Sequence, residues 1–216
     1  MMKRDEWTAI NEHRAIIYQW FGSLFALEQT EEQLNAYKHS EFDHWYELFN
    51  ELGLDAEISR FQEAMAHLIQ DDEAVLELSA DFAQHFLLDD EVSVLPYASF
   101  YLENGRLYGD VETKMRGYLA ENHLSVAKEY KEPADHLAVY LYLMAHWIER
   151  ADDFADYIQI SKDQVQFLQM GLLSWLPQFV EASQTLDLKY DVYPAVAQLL
   201  VKFIEVDVEY LQECSE

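Results

Sequence analysis

Apolar residues recur every three or four positions along most of the chain, the spacing that places them on one face of an α-helix. The segments that show this spacing have approximate bounds of 7–27, 31–37, 42–52, 55–69, 73–88, 110–119, 133–148, 161–179 and 194–210. No segment alternates apolar and polar residues in the manner of a half-buried strand. The pattern predicts an all-α, multi-helix bundle of roughly nine or ten helices, with no significant sheet.

Several local signals mark where these helices begin and end. Thr30-Glu31-Glu32-Gln33 and Ser161-Lys162-Asp163-Gln164 both have the form of a capping box, which predicts a helix start at each. Ser40 is a candidate N-cap for the third helix, and Gly53 follows that helix as a C-terminal stop. Pro177 lies within the 161–179 segment, so we expect a kink or break just before it.

Residues 89–109 interrupt the helical pattern. The segment contains Pro96, two glycines and several aromatic residues, among them Phe100, Tyr101 and Tyr108. We expect a long ordered loop with at most one or two turns of helix, because so many aromatic residues argue against disorder. A loop of this length inside a compact domain is usually functional when it is ordered.

A second non-helical segment, residues 123–131, separates two helical halves of the chain, about 1–122 and 132–216. Each half has its own apolar faces. We therefore expect a single all-helical domain over residues 1–216, with residues 123–131 as a candidate hinge.

The stretch Glu132-Pro133-Ala134-Asp135-His136 opens the most apolar segment of the chain. Pro133 fits the first turn of a helix, where its missing N–H is not needed, and Asp135 and His136 then fall in that turn. Two readings are open. In one, Glu132 and Asp135 cap the helix and His136 makes a satisfied hydrogen bond beside the core; in the other, the cluster binds a ligand.

Composition restricts the classes of partner and the compartment that we expect for this chain. Asp and Glu number 41 against 14 Lys and Arg, a formal net charge of −27. That excess argues against nucleic-acid binding and against anionic lipid, and it suits either a basic partner or simply a solvated acidic surface. Cys214 is the only cysteine, so no internal disulfide forms. With no signal-peptide pattern at Met1 and no apolar run long enough to span a bilayer, we expect a cytoplasmic protein without membrane insertion.

The motifs of the common enzyme classes are absent from the sequence. There is no nucleophile elbow, no phosphate-binding loop and no His-Glu-x-x-His. Glu41 and His44 form one Glu-x-x-His pair, where a di-metal bundle needs two. We therefore expect no catalytic residue and no metal site, and the alternative is a metal-dependent helical-bundle enzyme.

Four motifs, in order along the chain, carry a resemblance to a known family. They are Ala80-Asp81-Phe82-x-x-x-Phe86-Leu87, Pro96-Tyr97-x-Ser99, Glu132-Pro133-x-Asp135-His136-Leu137 and Leu168-x-x-x-Leu172-Leu173-x-Trp175-Leu176-Pro177-x-Phe179. Together they resemble the TorD/DmsD/NarJ family of molybdoenzyme-specific chaperones. Within that family the chain is most similar to the TorD group, whose client is trimethylamine N-oxide reductase.

The resemblance implies an all-helical fold and binding rather than catalysis. Such chaperones are cytoplasmic, bind the twin-arginine signal peptide of a molybdoenzyme precursor, and in TorD-like members also bind its folded core. They keep the apo-enzyme competent for insertion of the molybdenum cofactor before export. A basic leader followed by an apolar stretch calls for carboxylates beside an aromatic-lined groove.

On this resemblance we expect a signal-peptide and client-binding site in which acids provide charge and aromatic rings form a wall. The acids are Asp81, Glu132 and Asp135; the rings are Phe82, Phe86, Tyr97 and Tyr101; Pro133 completes the motif. His136 would be a hydrogen-bonding or pH-sensitive member of the site.

The same resemblance bears on cofactors and assembly. Family members are linked to weak guanine-nucleotide binding, but this sequence has no phosphate-binding loop, so we expect no bound cofactor. Members form monomers and dimers, and residues 123–131 would allow exchange of helices between subunits in a domain-swapped homodimer. A structural helical adaptor is the remaining alternative, and it would show no preference for paired arginines.

Overall fold

A computed structural model describes residues 4–39, 41–89, 92–151 and 157–215 of the chain. These residues form eleven α-helices and one π-helix. In chain order they are α1 (Arg4–Ala26), α2 (Glu31–Lys38), α3 (Asp43–Glu51), α4 (Asp55–Leu68), α5 (Ala74–Phe86), α6 (Ala98–Leu102), α7 (Asp110–Glu121), α8 (Leu137–Glu149), α9 (Tyr157–Phe167), the π-helix (Leu168–Leu172), α10 (Leu176–Ser183) and α11 (Val192–Cys214). The predicted all-α fold is confirmed, and the described part of the chain contains no strand.

The helices outnumber the roughly nine or ten expected for two reasons. The segment 89–109 contains α6, a helix of 5 residues, as the allowance of one or two turns predicted. The segment 161–179 is divided among α9, the π-helix and α10. Pro177 lies in the first turn of α10, so the expected break before it is confirmed.

Two other predicted helix boundaries are also confirmed. Thr30 and Gln33 form the reciprocal capping box: the Thr30 hydroxyl accepts the Gln33 N–H at 3.3 Å, and the Gln33 side chain accepts the Thr30 N–H at 2.8 Å. Gly53 follows the end of α3 with φ of +75°, a left-handed conformation that glycine adopts without strain. Ser40, the candidate cap of the third helix, lies outside the described residues.

The second predicted capping box is wrong. Helix α9 already includes Tyr157, so Ser161 and Gln164 lie in its interior. The Ser161 hydroxyl donates to the Tyr157 carbonyl at 2.9 Å, the bond that a serine makes within a helix to the residue four positions earlier. A serine followed three residues later by glutamine is therefore not sufficient to start a helix.

The placement of Pro133 in the first turn of a helix is also wrong. His136 is the N-cap of α8, with extended φ and ψ of −66° and 139°, and the helix begins at Leu137. Pro133 lies in a turn before the helix, where its carbonyl accepts the His136 N–H at 3.1 Å. The backbone of this turn pairs with the Pro96 segment instead of continuing the helix.

The chain divides into two compact units. The first unit comprises residues 1–26, 96–176 and 207–216, and the second comprises residues 27–95 and 177–206. The boundaries do not coincide with residues 123–131, which lie inside the first unit. The division into halves at 122 and 132 therefore differs from the division into compact units, and the hinge stays a prediction.

In the first unit, α1 packs along α8. Their facing side chains form a core that is almost wholly buried, including Phe21, Leu141 and Met144. A buried ion pair joins α1 to the end of α11: the Arg14 guanidinium donates to both oxygens of the Asp207 carboxylate at 2.6 and 2.9 Å. The paired charges satisfy each other, which a buried charge requires.

The second unit has an aromatic core. Phe82, Phe86 and Tyr193 meet edge-to-face, with ring centroids 5.0 to 5.6 Å apart, and Phe86 also stacks on Phe179. All four side chains are buried. None of the described helices is long and apolar enough to cross a membrane.

Candidate functional site

The Pro96–Ser99 and Glu132–His136 motifs lie side by side in the first unit. The Ala98 N–H donates to the Asp135 carbonyl at 3.1 Å, and the Leu137 N–H donates to the Pro96 carbonyl at 2.8 Å. The pair forms an antiparallel bridge between Tyr97 and His136. Two segments that resemble the family motifs separately are therefore one structural feature.

Asp135 joins the two segments through its side chain. One carboxylate oxygen, Oδ2, accepts the Ser99 N–H at 2.8 Å, at the start of α6. The other oxygen, Oδ1, has no hydrogen-bond partner among the described residues. Asp135 is completely buried, so its carboxylate positions the Pro96–Ser99 loop and presents no charge at the surface.

His136 caps α8 with its imidazole ring. Nδ1 accepts the Ala138 N–H at 3.1 Å, and the Tyr130 hydroxyl lies 3.0 Å from the same nitrogen. Because Nδ1 accepts a backbone N–H, the proton of the neutral ring is on Nε2. Burial lowers the pKa of His136 to about 3. The ring is therefore neutral near pH 7, which fits the predicted hydrogen-bonding role better than the pH-sensitive one.

Glu132 is the half-buried acid of the motif. Its Oε2 accepts the Tyr97 hydroxyl at 2.5 Å. Burial, followed by the bond to Glu132 and its charge, raises the pKa of Tyr97, and Tyr108 and Tyr130 also act on that hydroxyl electrostatically. Burial and then the Glu132 charge raise the pKa of Tyr130, with a further contribution from Tyr142. Tyr97 and Tyr130 therefore remain protonated near the Glu132 side chain.

We call these five residues the Glu132 cluster: Glu132, Tyr97, Tyr108, Tyr130 and Tyr142. Tyr97 bonds to Glu132 directly, whereas Tyr108 and Tyr142 belong to the cluster through their electrostatic effect on Tyr97 and Tyr130. Tyr108 and Tyr142 are 64% and 42% exposed, so the cluster has aromatic surface open to solvent. Glu132 and Tyr97 were predicted site residues, and the other three tyrosines were not. Two signals in the sequence pointed toward them: Tyr130 stands two residues before Glu132, and Tyr108 lies in the aromatic loop 89–109.

Tyr101 and Pro133 also lie in the first unit. The Tyr101 ring stacks on Trp175, with centroids 5.4 Å apart and planes 20° from parallel. Trp175 is buried and Tyr101 is half-buried. Pro133 is buried beneath the motif. Both residues thus belong to the same unit as the paired Pro96–Ser99 and Glu132–His136 motifs.

Asp81, Phe82 and Phe86 belong to the second unit. The Asp81 carboxylate accepts the N–H groups of Lys189 and Tyr190 at 3.1 and 2.9 Å, one on each oxygen. Burial raises the pKa of Asp81, although the two N–H bonds oppose that shift. Within this unit, therefore, Asp81 holds the segment before α11, and Phe82 and Phe86 fill the aromatic core. Their predicted part in a binding site stays a prediction.

His85 is a buried histidine at a variable position of the Asp81 motif. Its Nε2 lies 3.0 Å from the Ser183 hydroxyl, and Nδ1 has no hydrogen-bond partner among the described residues. Burial lowers its pKa to about 3. Its position on α5, one residue from Phe86 in the motif, gave no signal that separates it from a surface histidine.

The two residues of the alternative metal site lie at the surface. Glu41 and His44 are both exposed at the start of α3. Within the described ranges, no three His, Cys, Asp or Glu side chains are grouped so that they could hold a metal ion.

Comparison with known proteins gives the class. Residues 51–181 match the family described as Nitrate reductase delta subunit. The fold is similar to a solved structure from Archaeoglobus fulgidus described as a redox enzyme maturation protein, with a TM-score of 0.52, 20% identity and coverage of 89% of this chain and 93% of that one. The family match covers more than half of the chain and gives its class, and the solved structure supports the all-helical fold.

Curated relatives define the family within that class. The chain is 38% identical to the chaperone protein TorD of Psychrobacter sp. (strain PRwf-1), over 100% of this chain and 99% of the relative. It is 36% identical to TorD of Vibrio vulnificus over 96% and 98%, and 35% identical to TorD of Actinobacillus pleuropneumoniae over 92% and 96%. The chain belongs to the TorD family of molybdoenzyme-maturation chaperones. Its relatives are chaperones rather than enzymes.

Proposed function

We propose that the chain binds the precursor of trimethylamine N-oxide reductase in the cytoplasm, through the twin-arginine signal peptide as well as through the body of the enzyme. It holds the apo-enzyme competent for insertion of the molybdenum cofactor before export. The chaperone itself carries no cofactor in this proposal. The observation that carries the signal-peptide part is the Glu132 cluster, a carboxylate among four tyrosines.

The chemistry of the cluster suits an arginine side chain. A guanidinium donates to carboxylates in pairs and stacks on aromatic faces. Glu132 is half-buried, so an ion pair between it and an arginine is screened less than one in open water. Tyr108 and Tyr142 offer exposed rings for stacking and for contact with the apolar part of the leader.

The rest of the chain adds long-range attraction. Lys131 is exposed next to Glu132, so the immediate surroundings are not uniformly acidic. The formal net charge of −27 nevertheless draws a basic peptide toward the protein and raises the association rate. This contribution weakens as salt increases, because exposed charges further apart than about 8–10 Å are screened at physiological ionic strength.

Asp135 and His136 serve this site by positioning. Asp135 holds the Tyr97-bearing loop, and His136 holds Tyr130 and the start of α8. Asp81, Phe82 and Phe86 remain proposed contributors to client binding in the second unit.

The signal-peptide proposal is tested by Glu132→Gln with Glu129→Gln as the matched control. Glu129 is exposed, lies three residues away and undergoes the same change of charge. The glutamine at 132 keeps an oxygen that accepts the Tyr97 hydroxyl. Loss of one charge-assisted pair weakens binding of a fluorescent twin-arginine leader by about tenfold, measured by anisotropy.

Two results would contradict this assignment. Equal weakening by both substitutions would mean that only the overall charge matters. Equal affinity for the leader and for a version with two lysines in place of the arginines would favour the structural adaptor, because lysine lacks the bidentate geometry.

The client is tested by a maturation assay. Cells lacking the chaperone are supplied with the wild-type chain, Glu132→Gln or Glu129→Gln, and activity of trimethylamine N-oxide reductase is measured. We expect reduced activity for Glu132→Gln at equal chaperone abundance. Co-purification from native cytoplasm identifies the bound enzyme, and consistent recovery of a different reductase would overturn the choice of client.

The oligomeric state forms a separate part of the proposal: a monomer that exchanges helices through residues 123–131 to give a domain-swapped homodimer. The Tyr130 bond to His136 anchors one end of this segment. Shortening the segment between His123 and Tyr130 should change the ratio of monomer to dimer in light scattering. A ratio indifferent to the length of the segment would contradict the exchange.

A further inference from the structure

A cavity of about 840 Å³ lies in the first unit, among the ends of α7 and α8 and the length of α9. Its volume falls in the range of sites that hold a small molecule or a short peptide, roughly 300–1,000 Å³. None of the residues that the family motifs identified lines it. Its side chains therefore need an explanation of their own.

The floor of the cavity is aromatic. Trp147 meets Phe167 at a centroid distance of 4.7 Å, and Tyr118 meets Phe167 at 5.5 Å with the planes perpendicular. Phe167 is buried, while Trp147 and Tyr118 are half-buried. Rings that pack edge-to-face hold one another at fixed angles and give a preformed apolar surface.

The walls carry four carboxamides: Asn122, Gln159, Gln164 and Gln166. A carboxamide both donates and accepts hydrogen bonds, as a peptide group does, so the two form complementary pairs. Asn122 donates to the Tyr118 carbonyl at 2.8 Å and Gln159 donates to the Asp163 carboxylate at 2.9 Å, so part of their capacity is used within the chain. The capacity that remains, together with that of Gln164 and Gln166, suits a backbone segment with an apolar side chain against the rings. A ligand with a single strong charge gains less from them.

Gln164 supplies the second observation. It is 1% exposed, and its Oε1 accepts the Arg14 guanidinium at 3.0 Å. Arginine only donates, so the oxygen must face Arg14 and the amide nitrogen must lie on the other side. That nitrogen has no hydrogen-bond partner among the described residues, although a buried donor left without one is costly. A small outward shift of this side chain would let a carbonyl oxygen from a bound segment satisfy the nitrogen.

The charges at the cavity are mixed. Glu121 and Asp163 line it together with Arg150 and His123. With histidine counted as neutral, two acids and one arginine line the cavity, a smaller acidic excess than the 41 to 14 of the whole chain. Arg150 beside the two acids makes the cavity a poorer site for a basic leader than an uncompensated acidic one.

We propose that this cavity binds an extended, uncharged and apolar segment of the client polypeptide outside its signal peptide. The inference rests on the proposed client-binding function and adds a second site to it. A helical leader has its own peptide groups satisfied within the helix, whereas an extended stretch of the immature enzyme presents carbonyls to Gln164. The site would retain a client segment that is buried once the enzyme is folded.

The test uses the full chain and a neutral blocked peptide, acetyl-Phe-Leu-Ala-amide. Glutamine is isotope-labelled, and the side-chain amide signal of Gln164 is followed by NMR as peptide is added. We expect a saturable shift of that signal. Gln164→Glu keeps the acceptor for Arg14 but removes the donor, and loss of one hydrogen bond weakens peptide binding by about fivefold. Ile160→Trp, which fills the cavity, should abolish it.

The matched control is Gln198→Glu. Gln198 lies in the second unit and also accepts an arginine, Arg60, through Oε1 at 2.9 Å. The Gln198→Glu variant should bind the peptide as the wild type does. Binding of a twin-arginine leader is measured in parallel, and Gln164→Glu should leave it unchanged, so failure at one site is distinguishable from failure at the other.

Four results would overturn the inference. The first is no saturable shift in the wild type, and the second is wild-type peptide affinity in both Gln164→Glu and Ile160→Trp. The third is displacement of the peptide by the leader alone. The fourth is a dimer in light scattering that Ile160→Trp dissociates. The last two would assign the cavity to the leader or to a second copy of the chain.

Discussion

Each of the two compact units contains one buried aspartate from a family motif, and the two aspartates differ in one respect. Asp81, in the second unit, accepts a backbone N–H with each carboxylate oxygen. Asp135, in the first unit, accepts one backbone N–H and leaves Oδ1 without a partner among the described residues. Both oxygens of Asp81 thus accept backbone hydrogen bonds, whereas one oxygen of Asp135 accepts none from the described residues.

The difference explains why a motif acid is not necessarily a binding acid. Both aspartates are almost completely buried, at 3% and 0% exposure, so neither can meet an arginine without a change in the fold. Glu132 is the motif acid that keeps exposed surface. Of the three acids in the family motifs, Asp81 and Asp135 therefore accept backbone hydrogen bonds, and Glu132 is available to a partner.

The largest predicted effect is at Asp81. Asp81→Ala leaves the buried Tyr190 N–H and the part-buried Lys189 N–H without acceptors, and at about 1–2 kcal/mol for each bond it lowers the free energy of unfolding by about 3 kcal/mol. Asp81→Asn should cost nearly as much, because its NH₂ group faces one of the two N–H donors. Urea unfolding measures both, and a small cost for Asp81→Asn would show that one of the bonds contributes little.

Asp135 should respond differently to the same pair of substitutions. Asp135→Ala leaves the Ser99 N–H without its acceptor and costs about 2 kcal/mol. Asp135→Asn keeps an acceptor for Ser99 but buries an NH₂ where no acceptor is described, so we expect a smaller cost of about 1 kcal/mol. Urea unfolding with circular dichroism checks both variants. If Asp135→Asn is as damaging as Asp135→Ala, then Oδ1 has a partner or a charge requirement that the contacts do not reveal.

The helices could be predicted from sequence because their signals are local. Thr30 and Gln33 lie three residues apart, and the apolar residues of each helix recur every three or four positions, which is about one turn. The bonds that define the candidate site are not local: Ser99 and Asp135 are 36 residues apart, and Asp81 and Tyr190 are 109 apart. No short-range pattern indicates which backbone group a buried acid will hold.

The two wrong helix starts have the same physical origin. Ser161 and Gln164 match a capping box, but the helix extends upstream past Ser161, so the serine bonds to the carbonyl of Tyr157. Pro133 matches the first turn of a helix, but its segment pairs with Pro96–Ser99 and the helix starts later. In both places the wider fold prevails over a local preference.

Histidine offers a second comparison between the units, with His85 in one and His136 in the other. Burial lowers the pKa of each to about 3, from 6.5. Unfolding therefore takes up protons between these values, and the free energy of unfolding falls as the pH drops below 6.5. At pH 5.5 each histidine accounts for about 1.4 kcal/mol of that fall.

Chemical unfolding at pH 7.5 and at pH 5.5 measures this effect. His136→Asn keeps a side-chain acceptor at the N-cap, and His85→Gln keeps a polar partner for Ser183. Each variant should lose less stability than the wild type between the two pH values. If a variant shows the same acid sensitivity as the wild type, then that histidine is not neutral in the folded chain.

The smallest predicted effect separates the hydrogen bonds of the two rings. Tyr130→Phe removes one of two partners from Nδ1 of His136, and the Ala138 N–H remains. Ser183→Ala removes the hydroxyl from Nε2 of His85, whose Nδ1 has no partner among the described residues. We expect a cost of about 1 kcal/mol for Ser183→Ala and less than that for Tyr130→Phe. Urea unfolding at pH 7.5 ranks them. A larger cost for Tyr130→Phe would show that this hydroxyl holds more than His136, and that the Glu132 cluster depends on it for its own stability.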